Sequence, residues 1–498
     1  MLCSPYLRLI NQQPYPPMPE PGKFDFPNIY VAETVTSSSV VVGVETAIPA
    51  FVGYTEKNLT DSGVSLQNKP TRIASLLEYT QIFGGAQPET KSIKIQIEDR
   101  VEQILADQSL EILTNRDVIV HFNPVKKSKF NLYYSIEWYF VNGGGPCYIV
   151  SAGNFPANGN GKPRTAKLVS GMKTLEQENE PTMLVVPEAL SSGNAQDIYR
   201  VALAQAAKLV DRMVIIDVMQ SGETNEDIEA FRSTLDDNLE FGAAYYPPLE
   251  TYIKFHYSET ALKITHTKQD LEGATKKGEF HRKALSDVSD QSLYNSIKAQ
   301  ISQIPLQLPP SPGIAAVWVR VDQQRGVWKA PASEPLFNVI RPMAPIDDQT
   351  QAGMNIDVNH GKSVNAIRIM PGRGPLVWGG RTLLGNDNEW RYISVRRFFN
   401  FVSESVKNAT LTFVFEPNDA VTWAKIQWMI ETFLIIQWRA GALQGVQPHQ
   451  AFYVRIGLGH TMTSLDILEG RLIVEIGMAV IRPAEFITLK FTIQMVTP

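Results

Sequence analysis

The sequence predicts a mixed α/β protein, and two patterns carry that expectation. Through residues 182–249, short β-branched apolar runs alternate with amphipathic stretches of helical period, the pattern of βαβ units around a parallel sheet. Toward the C-terminus, a long apolar helical stretch precedes runs in which apolar and polar residues alternate with period two, the pattern of strands with one buried face.

The elements follow in order. Residues 1–27 hold Pro5, Pro14, Pro16, Pro17, Pro19, Pro21 and Pro27. Proline lacks the donor that helix and sheet interiors need, so an extended leader is expected. Residues 28–35 place Ile29, Val31 and Val35 on one side, with Glu33 breaking the apolar set, as in a short, partly exposed strand. Residues 39–56 read as a continuous β-branched strand, a turn at Pro49 and a second strand. Residues 72–85 read as a helix that Gly84 and Gly85 stop. Residues 86–130 are mixed. A helix then ends at Asn142 and the three glycines after it, and Cys147 starts a strand.

Strands at 182–188, 213–219 and 241–249 alternate with helices at 197–209 and 225–235. Residues 258–300 are polar and charged, with helical stretches, and read as a solvated excursion. A proline-marked connection over 304–331 leads into an expected strand at 315–321. Strands at 365–370 and 376–378 flank a turn, and 390–408 is helical after its first residues. TLTFVFEP reads as a strand. The helix over 419–443 has Asn418 or Asp419 as its cap and Gly441 near its end. It is apolar nearly all round, so it is expected to be buried on more than one side, within its domain or against another chain. Strand-like runs at 451–458, 471–481 and 486–495 finish the chain.

The chain has 498 residues, 44% hydrophobic and 19% charged, and a net charge of −5. This composition suits globular domains with real cores and gives no bulk basic charge for nucleic acid. Two cysteines, Cys3 and Cys147, exclude a disulfide framework and fit a reducing cytoplasm. No run is long and apolar enough to span a membrane, and the N-terminus lacks the pattern of a signal peptide. A protein of this kind that acts outside the cell is expected to leave by lysis or inside a larger particle.

Motifs of catalysis are absent. Gly361-Lys362-Ser363 ends like a phosphate-binding loop, but the glycine such a loop needs five residues earlier is Ile356. The glycines after Asn142 precede a strand, the reverse of a dinucleotide fingerprint. The seven histidines form no close ligand pair, and no nucleophile elbow occurs. Arg391, Arg396 and Arg397 cluster at a helix start, as an ion-pair clamp to a partner or as solvated basic residues.

Six collinear segments carry a resemblance: FVNGGGPCYIVSAG, AAYYPPLET, LPPSPGIAAVWVRVDQQRGVWKAP, GRGPLVWGGRTL, WRYISVRRFFNFV, and the long run from QPHQAFYVRIGLG to PAEFITLKF. They resemble the contractile tail sheath family of myophage tails and extracellular contractile injection systems. VETAIPAFVGYTE and RGVWKAP are most similar to the injection-system branch. The resemblance runs from about Ile29 to the C-terminus.

It implies a non-enzymatic structural subunit with no cofactor and no metal. Such subunits stack as hexameric rings in a helical polymer around an inner tube, grow from a baseplate and end at a tail terminator or cap. They contract from a metastable extended state. Direct nucleic-acid binding and a membrane span are not implied. Assembly in the bacterial cytoplasm is expected, in a particle that is released or anchored.

The implied organisation is an extended arm over 1–38, the first part of a core domain with a variable insertion over 39–125, an outer α/β domain over 126–345, the C-terminal core domain over 346–485, and an arm strand over 486–498. Ile29, Val31, Glu33 and Val35, with Ile487, Leu489, Phe491, Ile493 and Met495, are the expected strand-exchange residues. Lys425, Trp428, Glu431 and Arg439 on the long helix are expected to face the inner tube. Arg391, Arg396 and Arg397 are expected to form ion pairs in the lattice.

Overall fold

A computed structural model describes residues 40–60, 62–106, 109–156, 161–269 and 274–485. The expected arm 1–38, the strand-exchange residues Ile29, Val31, Glu33 and Val35, and the C-terminal set Ile487, Leu489, Phe491, Ile493 and Met495 lie outside the described residues.

A nine-stranded sheet organises the fold. Its centre is parallel, in the spatial order Val364–Met370, Gly242–Tyr246, Met213–Asp217, Met183–Val185, Pro49–Thr55, Cys147–Asn154. Antiparallel strands close both edges. Thr71–Ile73 lies on Cys147–Asn154, while Gly374–Trp378 and then Glu334–Pro335 extend the other side.

The central strands are buried on both faces, as expected where helices cover a parallel sheet. Phe51, Ile149, Val185, Ile215 and Tyr245 point to one face, against the helices Leu132–Val141 and Ser311–Arg325. Ala50, Val52, Val150, Leu184, Val214 and Ile216 point to the other, against Thr165–Thr174 and Ala195–Leu209. The α/β reading and the strand–helix alternation of the middle region hold.

Four expectations change. Residues 315–321 are not a strand but part of the helix Ser311–Arg325. Its β-branched run would suit a sheet, yet Pro312 lies in its first turn and the helix packs beside Leu132–Val141 on the same face of the sheet, over Met183–Val185 and Met213–Asp217. Burial on all sides rewards the apolar run in either conformation, so tertiary packing overrides propensity. Gly313 permits the approach, because a Cβ there would lie 2.7 Å from the Trp138 ring.

TLTFVFEP is not a strand either. It is the end of the helix Ile393–Thr410, a 3-10 turn Leu411–Phe413, and a turn in which Phe415 has φ +76 and is fully exposed. The run 40–48 is irregular, and Pro49 opens the strand rather than turning it. Proline is tolerated at a strand's first residue, where no ladder donor is missed.

Residues 258–300 are not a solvated excursion. Strands Ile264–Gln269 and Thr275–Lys277 join the long hairpin Ile93–Ala106 and Ser109–Phe122 in a four-stranded sheet, with the helix Gln291–Ser302 against it. Ile93, Ile95, Ile97, Ile264, Phe280, Leu285 and Ile297 make a separate core. At its polar end His266 Nδ1 accepts from Phe280 N at 3.1 Å, so Nε2–H donates to Asp99 at 3.0 Å, and Arg116 donates to Asp99 at 2.7 Å. The edge strand Ser109–Phe122 is blunted by a side chain: Gln300 Nε2 donates to Val118 O at 2.9 Å and its Oε1 accepts from Val120 N at 3.1 Å.

The C-terminal region packs Ile393–Thr410 and Ala420–Arg439 over a two-stranded antiparallel sheet, Phe452–Ile456 with Val474–Met478. Residues 443–444 and 479–481 continue the pairing past its end through Gln444 N to Ala479 O at 2.7 Å and Ile481 N to Ala442 O at 3.2 Å.

Candidate assembly surfaces

The helix Ala420–Arg439 starts where sequence placed its cap. Asp419 accepts from Val421 N at 3.0 Å and Thr422 N at 2.9 Å, and those amides hold its carboxyl below the usual range. Gly441, with φ +82, follows its end. One side, with Ile426, Met429, Ile430, Phe433 and Leu434, is buried; Phe433 meets Phe401 at 5.8 Å. The opposite side faces solvent, contrary to an all-round core helix. It carries Val421, Lys425, Trp428, Ile436 and Arg439, and Trp428 is 54% exposed. Glu431 lies beside it, half-buried, accepting from Gln427 Nε2 at 2.8 Å. The structure thus brings Lys425, Trp428 and Arg439 onto one open face.

The arginine cluster is not brought together as a clamp. Arg397 is buried and donates to Asp322 through Nη1 at 2.8 Å and Nη2 at 2.6 Å, and to Thr46 O at 2.9 Å, with its plane over Trp318. Arg396 is buried between Trp390 and Phe241, at 4.2 and 4.8 Å from their rings, and donates to Asn400 at 2.9 Å. Burial lowers its pKa to about 10. Arg391 is half-buried and donates to Asp387 O at 2.6 Å and to Asn388. Arg396 and Arg397 therefore tie elements within one subunit, and only Arg391 keeps a path to a neighbour. Sequence missed this because Asp322, Trp318 and Phe241 lie far away along the chain.

The positions where an α/β fold holds ligand anions are filled by the protein's own carboxylates. Asp217 ends its strand and accepts from Ser311 N at 2.8 Å and Ser311 Oγ at 2.5 Å, at the start of Ser311–Arg325. Burial pushes its pKa up to about 7. Glu188 accepts from Asn131 N at 3.0 Å and Leu132 N at 3.1 Å, at the start of Leu132–Val141, and from Tyr54 N at 2.9 Å. Burial pushes it up to about 8. Helix N-termini attract anions, and here both are taken.

The Gly361-Lys362-Ser363 loop is closed in the same way. The N–H groups of Asn359, His360 and Lys362 converge on Asp357, and Lys362 Nζ reaches Asp236 at 2.8 Å. The amides a phosphate would need are therefore satisfied internally. Among the described residues no His, Cys, Asp and Glu group could hold a metal, and no helix is long and apolar enough to cross a membrane.

The family model for the phage tail sheath C-terminal domain matches residues 385–494. The fold is similar to the sheath of an extracellular contractile injection system, PVC, in its contracted state. The TM-score is 0.63 and the identity 25%, over 95% of this chain and 98% of that chain. It is similar to a chain of the six-fold symmetrised baseplate of the anti-feeding prophage, with TM-score 0.60, 27% identity, and 94% and 99% covered. It is also similar to the contracted helical sheath of the anti-feeding prophage, with TM-score 0.59, 27% identity, and 94% and 98% covered. No curated protein matches the chain. Residues 385–494 thus carry a phage tail sheath C-terminal domain, and nearly the whole chain has the fold of contractile sheath proteins.

Proposed function

We propose that this chain polymerises as stacked hexameric rings around an inner tube, in a contractile injection particle, and shortens from a metastable extended state to drive the tube forward. Assembly begins at a baseplate and ends at a terminator or cap. Likeness to sheath chains of injection particles over nearly the whole length supports the injection reading over a myophage tail.

The observation that carries the polymer is the two-stranded sheet. Among the described residues, Phe452–Ile456 and Val474–Met478 pair only with each other and leave unpaired ladder groups. Exchanged strands from neighbouring copies would complete them: Ile487, Leu489, Phe491, Ile493 and Met495 from one arm, and Ile29, Val31, Glu33 and Val35 from the other. Each main-chain hydrogen bond contributes about 0.5–1.5 kcal/mol net, so half a dozen give a link of several kcal/mol that persists while rigid bodies rotate. The energy of contraction then lies in the difference between two packings. The C-terminal region with the helix Ala420–Arg439 would face the tube side, and the nine-stranded sheet, which joins 49–55 and 364–370 to the strands of 126–345, would sit outward.

Negative-stain electron microscopy of the intact chain and of a chain cut after Glu485 tests the proposal. Striated hollow tubes from the intact chain, and monomers or loose rings from the shorter one, are expected. Tubes from both would remove the exchange role of the last strand. Monomers from both, with inner-tube protein added, would overturn the polymer itself.

A further inference from the structure

Six lysines line one cavity of about 590 Å³: Lys91, Lys94, Lys126, Lys127, Lys129 and Lys263. They come from three separate stretches of chain. One leads into Ile93–Ala106, one follows Ser109–Phe122, and one precedes Ile264–Gln269. Lys94, Lys126, Lys129 and Lys263 are exposed, and none of these four forms an ion pair among the described residues.

Lys127 lies deeper, with Nζ donating to Gln307 O at 2.8 Å. Burial, reinforced by the charge of Lys129, pulls its pKa down to about 8. Glu89 feels Lys127 and Lys129, but its carboxyl is buried, bonded to Ser92 and Ser128, and held above the usual range by that burial. Lys94, Lys126, Lys129 and Lys263 are therefore gathered beside the buried Lys127 with no acid paired to any of the four among the described residues, in a chain whose net charge is −5. Like charges are gathered at a cost in self-repulsion that a bound polyanion would relieve.

The composition of the lining narrows the ligand. It holds no aromatic ring, which argues against single-stranded nucleic acid, where bases stack on aromatics. It holds lysine without arginine. Protein interfaces favour arginine and deplete lysine, so the acidic face of a second copy fits poorly. Lysine acting as a point charge suits phosphate oxygens, and the volume falls within the range of small-ligand clefts.

We propose that this cavity binds oligophosphate groups, either as a free chain of phosphates or as phosphate headgroups displayed on a membrane surface. This site is independent of the sheath reading, since it is formed within one subunit and can be assayed on unassembled protein.

The test measures binding of tripolyphosphate by calorimetry, and of vesicles rich in phosphatidylglycerol by flotation, at low and moderate salt. The proteins are the full chain, a variant with Lys94→Gln, Lys126→Gln, Lys129→Gln and Lys263→Gln, and a control with Lys57→Gln, Lys69→Gln, Lys167→Gln and Lys173→Gln at exposed sites elsewhere. Binding that falls with salt, weakens by about tenfold or more in the first variant and is unchanged in the control is expected. Binding of tripolyphosphate alone assigns the site to free phosphates, and binding of vesicles alone assigns it to headgroups. No binding to either probe, or equal loss in the control, overturns the proposal. So does a cavity variant that loses tube formation while the intact chain ignores both probes, because the lysines would then serve a subunit contact. Unchanged thermal melting of the cavity variant shows that the fold survives the substitutions.

Discussion

Arg381 holds Glu485 by three hydrogen bonds, Nε to Oε1 at 2.9 Å and to Oε2 at 3.2 Å, and Nη2 to Oε2 at 2.5 Å. Arg381 is 3% exposed, and its remaining donors reach Asn355 O and Gly385 O at 3.1 and 3.2 Å. Tyr392 also donates to Glu485. Glu485 directly precedes 486–498, so this pair anchors the chain at the residue where that segment begins.

Breaking the pair should therefore affect overall stability and the local order of the residues just before 486 together. Glu485→Ala leaves a buried guanidinium without its carboxylate, and removing one partner of a buried ion pair costs about 3–5 kcal/mol. The expected result is a lower melting temperature and faster amide exchange over 479–485. A melting temperature equal to that of the unaltered chain would show that Glu485 is held by other contacts. Arg381→Lys should recover little, because a point charge cannot reproduce the fork or the two carbonyl contacts.

The buried carboxylates give the protein a pH dependence with a definite sign. Burial raises Glu188 from 4.5 to about 8 and Asp217 from 3.8 to about 7. Between the ordinary value and the raised one, the folded state holds a proton that the unfolded chain has released. Stability is then full below the unfolded pKa and falls as pH rises through the folded one. Thermal melting should accordingly be higher near about pH 5 than near about pH 8.5, unlike the usual carboxylate case. Glu188→Gln keeps the shape and removes the titration, so its melting should change less over that window. An equally steep profile in the variant would assign the dependence to other groups.

How far the sequence revealed this fold depends on where each residue's partners lie. The strands at 183–185, 213–217 and 242–246 were legible because burial on both faces makes them uniformly apolar. The helix Ser311–Arg325 was not, because its environment is supplied by Trp138 and Tyr245 from elsewhere in the chain. The hairpin carried a signal in the alternation of Ile93, Ile95 and Ile97, but Asp99 continues that register inward, where His266 and Arg116 satisfy it. The arginines misled for the same reason: a charged residue reads as surface until its buried partner is known. Arg397 needs Asp322, and that pairing exists only once two helices have packed. The exposed face of Ala420–Arg439 was hidden by its composition. Ile436 looks like a core residue, the outward expectation for Trp428 came from the resemblance alone, and only packing shows which side is covered.

That exposed face yields the last prediction. Exposed aromatics beside cations mark protein contacts, since Trp and Arg are enriched at interface centres. Trp428, Ile436, Lys425 and Arg439 form such a face, while Ile426, Met429, Ile430, Phe433 and Leu434 on the opposite side are buried in the subunit. If this face meets an acidic inner tube, Trp428→Ala should lose about 2 kcal/mol of tube binding, as an anchor residue does. Lys425→Glu should weaken co-sedimentation with the tube more at low salt than at high salt, because screening removes the repulsion it introduces. Both side chains point to solvent, so melting of the isolated subunit should change little. Unchanged co-sedimentation in both variants would remove this helix from the tube interface. Loss in Trp428→Ala alone would keep the apolar contact and discard the acidic partner.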